Sequence, residues 1–389
     1  MDFEIQIEKE IQDFRGANPR IILIGEAPGR REAELGQPFV GPSEVRLRNF
    51  WQGRLRRSDF YITNVCPVRP PGNVIEAIPW RRMLEYQDQL RTKLRLLRAQ
   101  YPICVVVPTG NTALRALWPG EDRNITDWRG SILNWEGLKV IPTIHPAATF
   151  RQPILTEFCL ADWARIADEA SSPNITLPVR KHIIDPTEEE IRGWVEEMDT
   201  FATIAGSGSP DTPPLVMSVD VENPRERPRK VTCVGFSLDH TVSITIPLDD
   251  DTPVSAPLDY RKSAIKLICA SAIPKVLQNG LTDQTKLSAN GIELKNYEWD
   301  LMEMAHALNP NDGGDTLSDD EVELGGPSVR ISTKSLAVLT SLYTREPYYK
   351  HLSESPDWET RQRYNGLDAC VTREIFDPLW RKLRAKGMV

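Results

Sequence analysis

The six cysteines of this sequence stand at positions 66, 104, 159, 233, 269 and 370, and none of them forms a CxxC pair. The spacing therefore indicates neither a disulfide framework nor a zinc knuckle. No apolar run approaches the roughly 20 residues that span a bilayer. The acidic start MDFEIQIEKE lacks the apolar core of a secretory signal. We expect an intracellular, cytoplasmic protein with reduced cysteines and no membrane partner.

The composition is that of a globular protein long enough for two domains. Among 389 residues, 40% are apolar and 26% are charged, which excludes a mostly disordered chain or a collagen-like fibre. Residues 1–170 carry 23 basic and 21 acidic side chains, and 20 of those bases are arginine, which suits phosphate. The remainder carries 24 basic and 34 acidic side chains. That acidic excess would repel nucleic acid unless some carboxylates hold metal ions.

Apolar segments in the first part alternate with helical ones. Short buried strands end in turns at GEAPG, NVCPVRPPGN, PTGN and IHPAA, and residues 80–99 repeat apolar positions at helical spacing. The alternation predicts an α/β layered sheet. In such sheets, ligand-binding groups collect on the loops just past the strand ends.

The polar stretch DEASSPNI at residues 168–175 indicates a domain boundary. Beyond it, PLVMSVDVE, KVTCVGFSL and HTVSITIPL predict an antiparallel meander, followed by a helix, the strand KVLQNG and then helices to the end. The acidic, glycine-rich residues 310–329 predict a mobile, solvated loop. We expect two domains, 1–170 and 171–389.

Several polar residues lie in the turns of the first part, and each has a structural alternative when taken singly. Glu26 and Asn64 could cap local turns, Phe39 could fill a crevice, and His145 could cap a loop. The combination resembles the uracil-DNA glycosylase superfamily, and most closely its family 4. The matching segments, in the order and at the spacing of the family, are GEAPGRREAELGQPFVG (25–41), YITNVCPVRPPGN (61–73), VVVPTGNTALRALW (105–118), RGS (129–131) and TIHPAATFR (143–151).

The resemblance implies a parallel-sheet α/β/α domain that excises uracil from DNA. Breaking the N-glycosidic bond leaves negative charge on the base, so the enzyme must hold a flipped base and stabilise that anion. Phe39 would stack on uracil, Asn64 would pair with its edge, and His145 would donate to a carbonyl oxygen. Glu26 would orient the attacking water or stabilise the sugar cation. The resemblance also implies that Gly25 and Ala27 face the base. Arg69 and Arg151 would contact DNA.

Two departures from family 4 bear on cofactor and DNA binding. Val68 occupies a position where the family has a cysteine ligand of a four-iron cluster, Cys66 lies two residues early, and the N-terminal cysteine pair is missing. We therefore expect no iron–sulfur cluster. Glu44 replaces a usual glycine and places a carboxylate near the expected DNA-binding face.

The second part carries acidic residues at metal-binding spacing. Asp220 and Glu222 lie two apart on an apolar strand, so both point to one face. Asp283 follows at a strand-to-helix junction, while Tyr364 and Asp368 are one helical turn apart. A charged edge strand and a surface helix would explain these features singly, but the three motifs in order favour a metal site.

These blocks resemble the DEDDy class of 3′–5′ exonucleases, specifically the proofreading domain of family A DNA polymerases. They are SVDVEN (218–223), LQNGLTDQTKL (277–287) and YNGLDACVT (364–372). The resemblance implies an RNase H-like mixed sheet whose four acids, Asp220, Glu222, Asp283 and Asp368, hold two Mg²⁺ or Mn²⁺ ions. Tyr364 would orient the water and Asn279 would help place the DNA strand. Thr282 departs from the family by replacing an aromatic residue.

The leading hypothesis is a bifunctional DNA enzyme that trims single-stranded or frayed 3′ ends and removes uracil from DNA. The chain ends at DPLWRKLRAKGMV without a polymerase module, so it resembles the front end of certain large phage polymerases, acting at the nucleoid or in an infected host. Two alternatives stay open. The front domain could bind uracil or DNA without catalysis, or the chain could dock on a separate DNA polymerase and proofread for it.

Overall fold

The computed structural model describes residues 18–205, 211–224, 229–248, 254–310 and 334–389. The chain divides into two units, Met1–Leu177 and Pro178–Val389. Each unit contains one sheet with helices packed on it, which confirms the predicted α/β fold class. Within the described ranges, no helix is both long enough and apolar enough to cross a membrane. Apart from its first residue, the predicted acidic loop 310–329 lies outside the described residues.

The first unit contains a five-stranded sheet in the order β2-β1-β3-β5-β4. Its strands are β1 (Ile21–Gly25), β2 (Phe60–Asn64), β3 (Val105–Pro108), β4 (Leu133–Trp135) and β5 (Leu138–Val140). The strands run parallel except for β4, which pairs antiparallel with β5. The sequence analysis did not predict β4. The parallel strands β1, β2 and β3 bring Gly25, Asn64 and Pro108 to one edge of the sheet.

Seven helices accompany this sheet in the described residues. They are α1 (Arg30–Leu35), α2 (Pro42–Trp51), α3 (Trp80–Gln100), α4 (Asn111–Leu117), α5 (Ile125–Trp128), α6 (Ala148–Arg151) and α7 (Leu155–Glu169). The predicted helix over 80–99 corresponds to α3, whose Leu90, Leu94 and Leu97 are buried at helical spacing. The residues Ile21–Ile24 of β1 are fully buried, because both faces of a central parallel strand are covered.

The second unit contains a six-stranded mixed sheet in the order β11-β10-β7-β8-β9-β6. Its strands are β6 (Lys181–Ile184), β7 (Met217–Glu222), β8 (Cys233–Ser237), β9 (Val242–Pro247), β10 (Lys275–Leu277) and β11 (Tyr297–Asp300). Strands β7, β8 and β9 form the predicted antiparallel meander, and β10, β11 and β6 add parallel pairs. The sheet is mixed, as predicted. The expectation of helices alone after KVLQNG was wrong, because Tyr297–Asp300 pairs with β10 as a short edge strand.

The helices of the second unit are α8 (Glu188–Ala205), α9 (Leu258–Ala270), α10 (Gly280–Ala289), α11 (Leu301–Leu308), α12 (Leu336–Tyr343) and α13 (Trp358–Ala385). The 28-residue helix α13 lies against β7, β8 and β9. A Cβ atom at Gly235 of β8 would lie 2.5 Å from the Asn365 Oδ1, and one at Gly366 would lie 2.6 Å from the Ser243 Oγ. Glycine at both positions therefore permits the close approach that brings α13 to the acidic end of β7.

Candidate functional sites

A cleft of about 1020 Å³ opens at the edge where β1, β2 and β3 end. The cleft walls include six of the residues predicted for this site, namely Glu26, Ala27, Phe39, Asn64, His145 and Arg151. Gly25 lies in register with Asn64 at the end of β1. Arg69 is exposed and does not line the cleft, although its neighbour Pro70 does. The structure thus brings together all the predicted residues of this group except Arg69.

The closest packing in the cleft surrounds Gly25. A Cβ atom on Gly25 would overlap the Asn64 Oδ1 and would lie 2.9 Å from the Phe39 Cε2. Phe39 has a positive φ of 52°, an uncommon conformation for a residue other than glycine, and its side chain is only 3% exposed. Its ring centroid lies 5.8 Å from that of His145. The ring of Phe39 and the amide of Asn64 therefore meet at Gly25, and the imidazole of His145 lies near the Phe39 ring.

Arg57 holds the loop that carries Phe39. Its guanidinium donates to the backbone oxygens of Pro38 (2.8 Å) and Phe39 (3.1 Å). Its Nη1 also lies 3.5 Å from the Oε1 of Glu44, which pairs with Arg48 at 2.7 Å. The Glu44 carboxylate, which was expected near the DNA-binding face, is thus paired with two arginines, Arg48 and Arg57. Sequence reasoning missed Arg57, because its only signal was a basic residue shortly before β2.

The imidazole of His145 is half-buried and has a defined hydrogen-bond arrangement. Its Nδ1 accepts a hydrogen bond from the Ala147 backbone N–H at 3.2 Å. Burial, reinforced by the positive charge of Arg151, lowers the pKa of His145 to about 4. The ring is therefore neutral at pH 7. Since Nδ1 accepts, Nε2 carries the proton and is available as a donor.

Glu26 follows β1 directly and is fixed from two sides. Its Oε2 accepts a hydrogen bond from the Thr112 hydroxyl at 2.5 Å, at the start of α4. Its backbone oxygen accepts from the Cys66 N–H at 2.8 Å. The carboxylate thus has one acceptor oxygen committed to Thr112, which leaves its other oxygen for a water or a sugar. The position of Thr112 within PTGNT gave no direct sign of this role.

The cysteines of the first unit do not fit an iron–sulfur cluster. Only Cys66, Cys104 and Cys159 fall within Met1–Leu177, and all three are buried. A cluster of this kind takes four cysteine ligands. The Cys66 thiol instead donates to the Val68 backbone oxygen at 3.1 Å, and burial raises its pKa.

In the second unit, β7 and α13 bring three carboxylates together. Ligand atoms of Asp220, Glu222 and Asp368 all lie within 4.8 Å of one another. Asp283 lies in the first turn of α10, outside this triad, but it lines a cleft of about 420 Å³ together with Asp220 and Glu222. Asn279 also lines that cleft. All four predicted acids thus face one region at the end of β7.

The acids in this region destabilise one another when charged. Burial, then the charges of Asp368 and Glu222, raise the pKa of Asp220. Burial and Asp368 raise the pKa of Glu222 to about 8, and burial raises that of Asp283 to about 6. A divalent cation would relieve this repulsion, and carboxylate oxygens are the ligands that Mg²⁺ and Mn²⁺ prefer. The donor set therefore fits such an ion.

Polar partners already contact three of these acids. The Asn365 amide donates to the Asp220 Oδ2 at 2.7 Å, and the Lys286 ammonium donates to the Asp283 Oδ1 at 3.0 Å. Two further groups meet at Asp368. The Lys350 ammonium lies 2.6 Å from both of its carboxylate oxygens, and the Tyr349 hydroxyl donates at 2.5 Å. None of these partners was singled out from the sequence.

Tyr364 lies beside the triad, 7% exposed, and its hydroxyl oxygen accepts a hydrogen bond from Lys350 at 2.9 Å. Burial raises the pKa of Tyr364, so the phenol stays protonated and acts as a hydrogen-bonding group rather than as a base.

Asn279, which precedes α10, has a φ of 56°, and its backbone N–H donates to the Asp300 Oδ1 at 3.1 Å. Asp300 was missed because it lies at the end of the unpredicted strand β11.

A further cavity of about 430 Å³ adjoins the triad on the side of Glu222 and Tyr364. Trp358, Arg361 and Gln362, from the first turns of α13, contribute to its walls. An aromatic ring and a guanidinium beside the acids suit a nucleotide, because bases stack on aromatic rings and guanidinium groups pair with phosphates.

Comparison with known proteins gives one family match. Residues 12–166 match the model of the uracil DNA glycosylase superfamily. The type-4 uracil-DNA glycosylase of Thermotoga maritima is 38% identical over 137 residues, which are 34% of this chain and 67% of that protein. The corresponding enzyme of Archaeoglobus fulgidus is 33% identical over 165 residues, 40% of this chain and 80% of that protein. A DNA polymerase of Bacillus phage SP01 is 23% identical over 248 residues, 59% of this chain and 26% of the polymerase.

Proposed function

The chain belongs to the uracil-DNA glycosylase superfamily through its N-terminal unit, and on that premise we propose that it removes uracil from DNA by hydrolysing the N-glycosidic bond. The observation that carries this proposal is the cleft lined by Phe39, Asn64 and His145, in which Phe39 and Asn64 meet at Gly25. The cleft offers an aromatic face, an amide that can match a pyrimidine edge, and a neutral N–H donor.

The chemistry follows from the protonation state of His145. As the bond between the sugar C1′ and the uracil N1 breaks, the bonding electrons move onto the base and its carbonyl oxygen gains negative charge. A neutral imidazole donating through Nε2 stabilises that charge without competing for a proton. Glu26, held by Thr112, would orient the water that adds to C1′. Gly25 and Ala27 would present backbone to the base, while Arg151, and Arg69 outside the cleft, would contact the DNA backbone.

We further propose that the second unit is a two-metal 3′–5′ exonuclease. The supporting observation is the triad of Asp220, Glu222 and Asp368, with Asp283 in the same region. These four residues would hold two Mg²⁺ or Mn²⁺ ions, which supply Lewis-acid activation of water and stabilisation of the leaving oxygen. Tyr364 would donate a hydrogen bond to the attacking water, and Asn279 would contact the DNA strand. The similarity to a phage DNA polymerase over 59% of the chain is consistent with this assignment.

One pair of variants tests both proposals, because each is the control for the other. H145N should lose uracil excision, measured with EDTA present as alkali-labile breaks in a uracil-containing oligonucleotide. The double variant D220N/E222Q should excise uracil normally. In Mg²⁺, D220N/E222Q should lose trimming of a 5′-labelled strand from its 3′ end, whereas H145N should trim normally.

Each proposal has its own contradicting result. If the wild-type chain binds uracil-containing DNA but leaves the base in place, the first unit is a binding module rather than a glycosylase. If trimming persists in D220N/E222Q, the triad is not the nuclease site. If trimming by the wild-type chain requires an added DNA polymerase, the chain acts as a proofreading accessory, which is the alternative partner assignment.

A further inference from the structure

Lys350 contacts the acidic region but lies outside the three motifs that carry its acids, SVDVEN, LQNGLTDQTKL and YNGLDACVT. It begins a short 3₁₀ turn, Lys350–Glu354. Its ammonium lies 2.6 Å from each carboxylate oxygen of Asp368 and 2.9 Å from the hydroxyl oxygen of Tyr364. It also lies 5.2 Å and 4.9 Å from the ring centroids of Tyr349 and Tyr364. The cation is therefore enclosed by one carboxylate and two aromatic rings.

We propose that Lys350 is a built-in counter-ion of the acidic site, which holds Asp368 and Tyr364 in place before a divalent cation binds and competes with that cation for the Asp368 oxygens. The inference rests on the metal site of the proposed nuclease. It adds a residue that tunes cation affinity and positions Tyr364, without contacting DNA itself.

The contacts of Lys350 indicate that its ammonium competes with a divalent cation for the Asp368 oxygens, in addition to holding Asp368 in place. Both oxygens of Asp368 are engaged by one ammonium, so an incoming cation must share or displace it. Displacement is feasible, because the lysine charge sits on a flexible four-carbon stem and the residue is 21% exposed. A positive charge this close to the cation position also repels the cation directly. Removing the charge should therefore strengthen cation binding.

Lys350 also determines how the Tyr364 hydroxyl is used. An ammonium has donors only, so the Tyr364 oxygen must accept from it. The Tyr364 hydroxyl proton is then directed away from Lys350 and towards the carboxylate of Asp368, which is also a hydrogen-bond partner of this hydroxyl. This accounts for positioning of Tyr364 in the absence of any bound ion.

The test measures Mn²⁺ binding by the full chain without DNA, from the electron paramagnetic resonance signal of free Mn²⁺. We expect K350M to lower the half-saturating Mn²⁺ concentration at least tenfold relative to the wild type. K350Q removes the charge but keeps a donor, and it should give the same direction of change. The matched control is K382M, because Lys382 also donates to a tyrosine hydroxyl (Tyr343, 3.1 Å) and lies 4.5 Å from that ring. Its Mn²⁺ affinity should equal that of the wild type.

A second readout is thermal stability. In EDTA the unfolding midpoint of K350M should be lower than that of the wild type, because Asp368 no longer pairs with the lysine ammonium. Added Mn²⁺ should raise the midpoint of K350M by more than it raises the midpoint of the wild type. Equal or weaker Mn²⁺ binding by K350M and K350Q would overturn the inference while leaving the metal site intact. Absence of Mn²⁺ binding by the wild type and both variants would instead refute the proposed metal site itself.

Discussion

Acidification should destabilise the first unit through His145. The pKa of this imidazole is lowered by burial from 6.5 to about 4 in the folded protein. Between these values the unfolded chain binds a proton that the folded unit does not, so stability falls as pH decreases from 6.5 towards 4. At 1.36 kcal/mol per pKa unit, the full loss is about 3 kcal/mol, and about 2 kcal/mol of it is reached at pH 5.

Hydrogen exchange of the amides in β1 and β3 measures this loss within the first unit alone. Between pH 7 and pH 5, the opening free energy of these strands should fall by about 2 kcal/mol more in the wild type than in H145N, which cannot titrate. His182 provides an internal comparison in the second unit, because burial also lowers its pKa to about 4. H182N should change the pH dependence of the second unit only. Identical pH profiles for the wild type and H145N would refute the reasoning.

Three further outcomes are expected. D162A should destabilise the first unit by about 3 to 5 kcal/mol in urea unfolding, because the Arg129 guanidinium, which is only 1% exposed, loses its paired carboxylate. A loss of less than 1 kcal/mol in the free energy of unfolding would contradict this. G366A should cost about 1 to 3 kcal/mol, since its Cβ would lie 2.6 Å from the Ser243 Oγ; unchanged unfolding would argue against the close helix–sheet contact. Mn²⁺ added at pH 7 in weak buffer should release protons from the acidic region, because the pKa values of Asp220 and Glu222 are both raised there, and D220N/E222Q should abolish that release.

The elements that hold the acids were predictable because local patterns determine them. Alternation along β7 places Asp220 and Glu222 on one face, and helical spacing places Tyr364 and Asp368 on one side of α13. The glycosylase-like cleft was likewise predictable, since parallel strands bring their following turns to one edge of the sheet. In both cases, residues near in sequence or at equivalent strand ends share a site by geometry alone.

The residues that tune these sites were not predictable, because each reaches its partner across the fold. Arg57 contacts a loop 18 and 19 residues earlier, and Lys350 meets Asp368 from a turn 18 residues before it. Neither contact leaves a periodic signal. The positive φ of Phe39 was also hidden, because a phenylalanine gives no local sign of the left-handed region.

The two sites differ in the charge of their functional side chains, in keeping with the reaction proposed for each. A leaving base becomes negative, and the first cleft offers it a hydrogen-bond donor, His145, which burial keeps neutral. The phosphoryl displacement proposed for the second unit would use cations, and this region gathers carboxylates that repel one another and that Lys350 and Lys286 partly neutralise. A chelator should therefore separate the two activities completely. Uracil excision should keep its rate in EDTA while trimming stops, and a parallel loss of both would mean that the first unit also depends on a divalent cation.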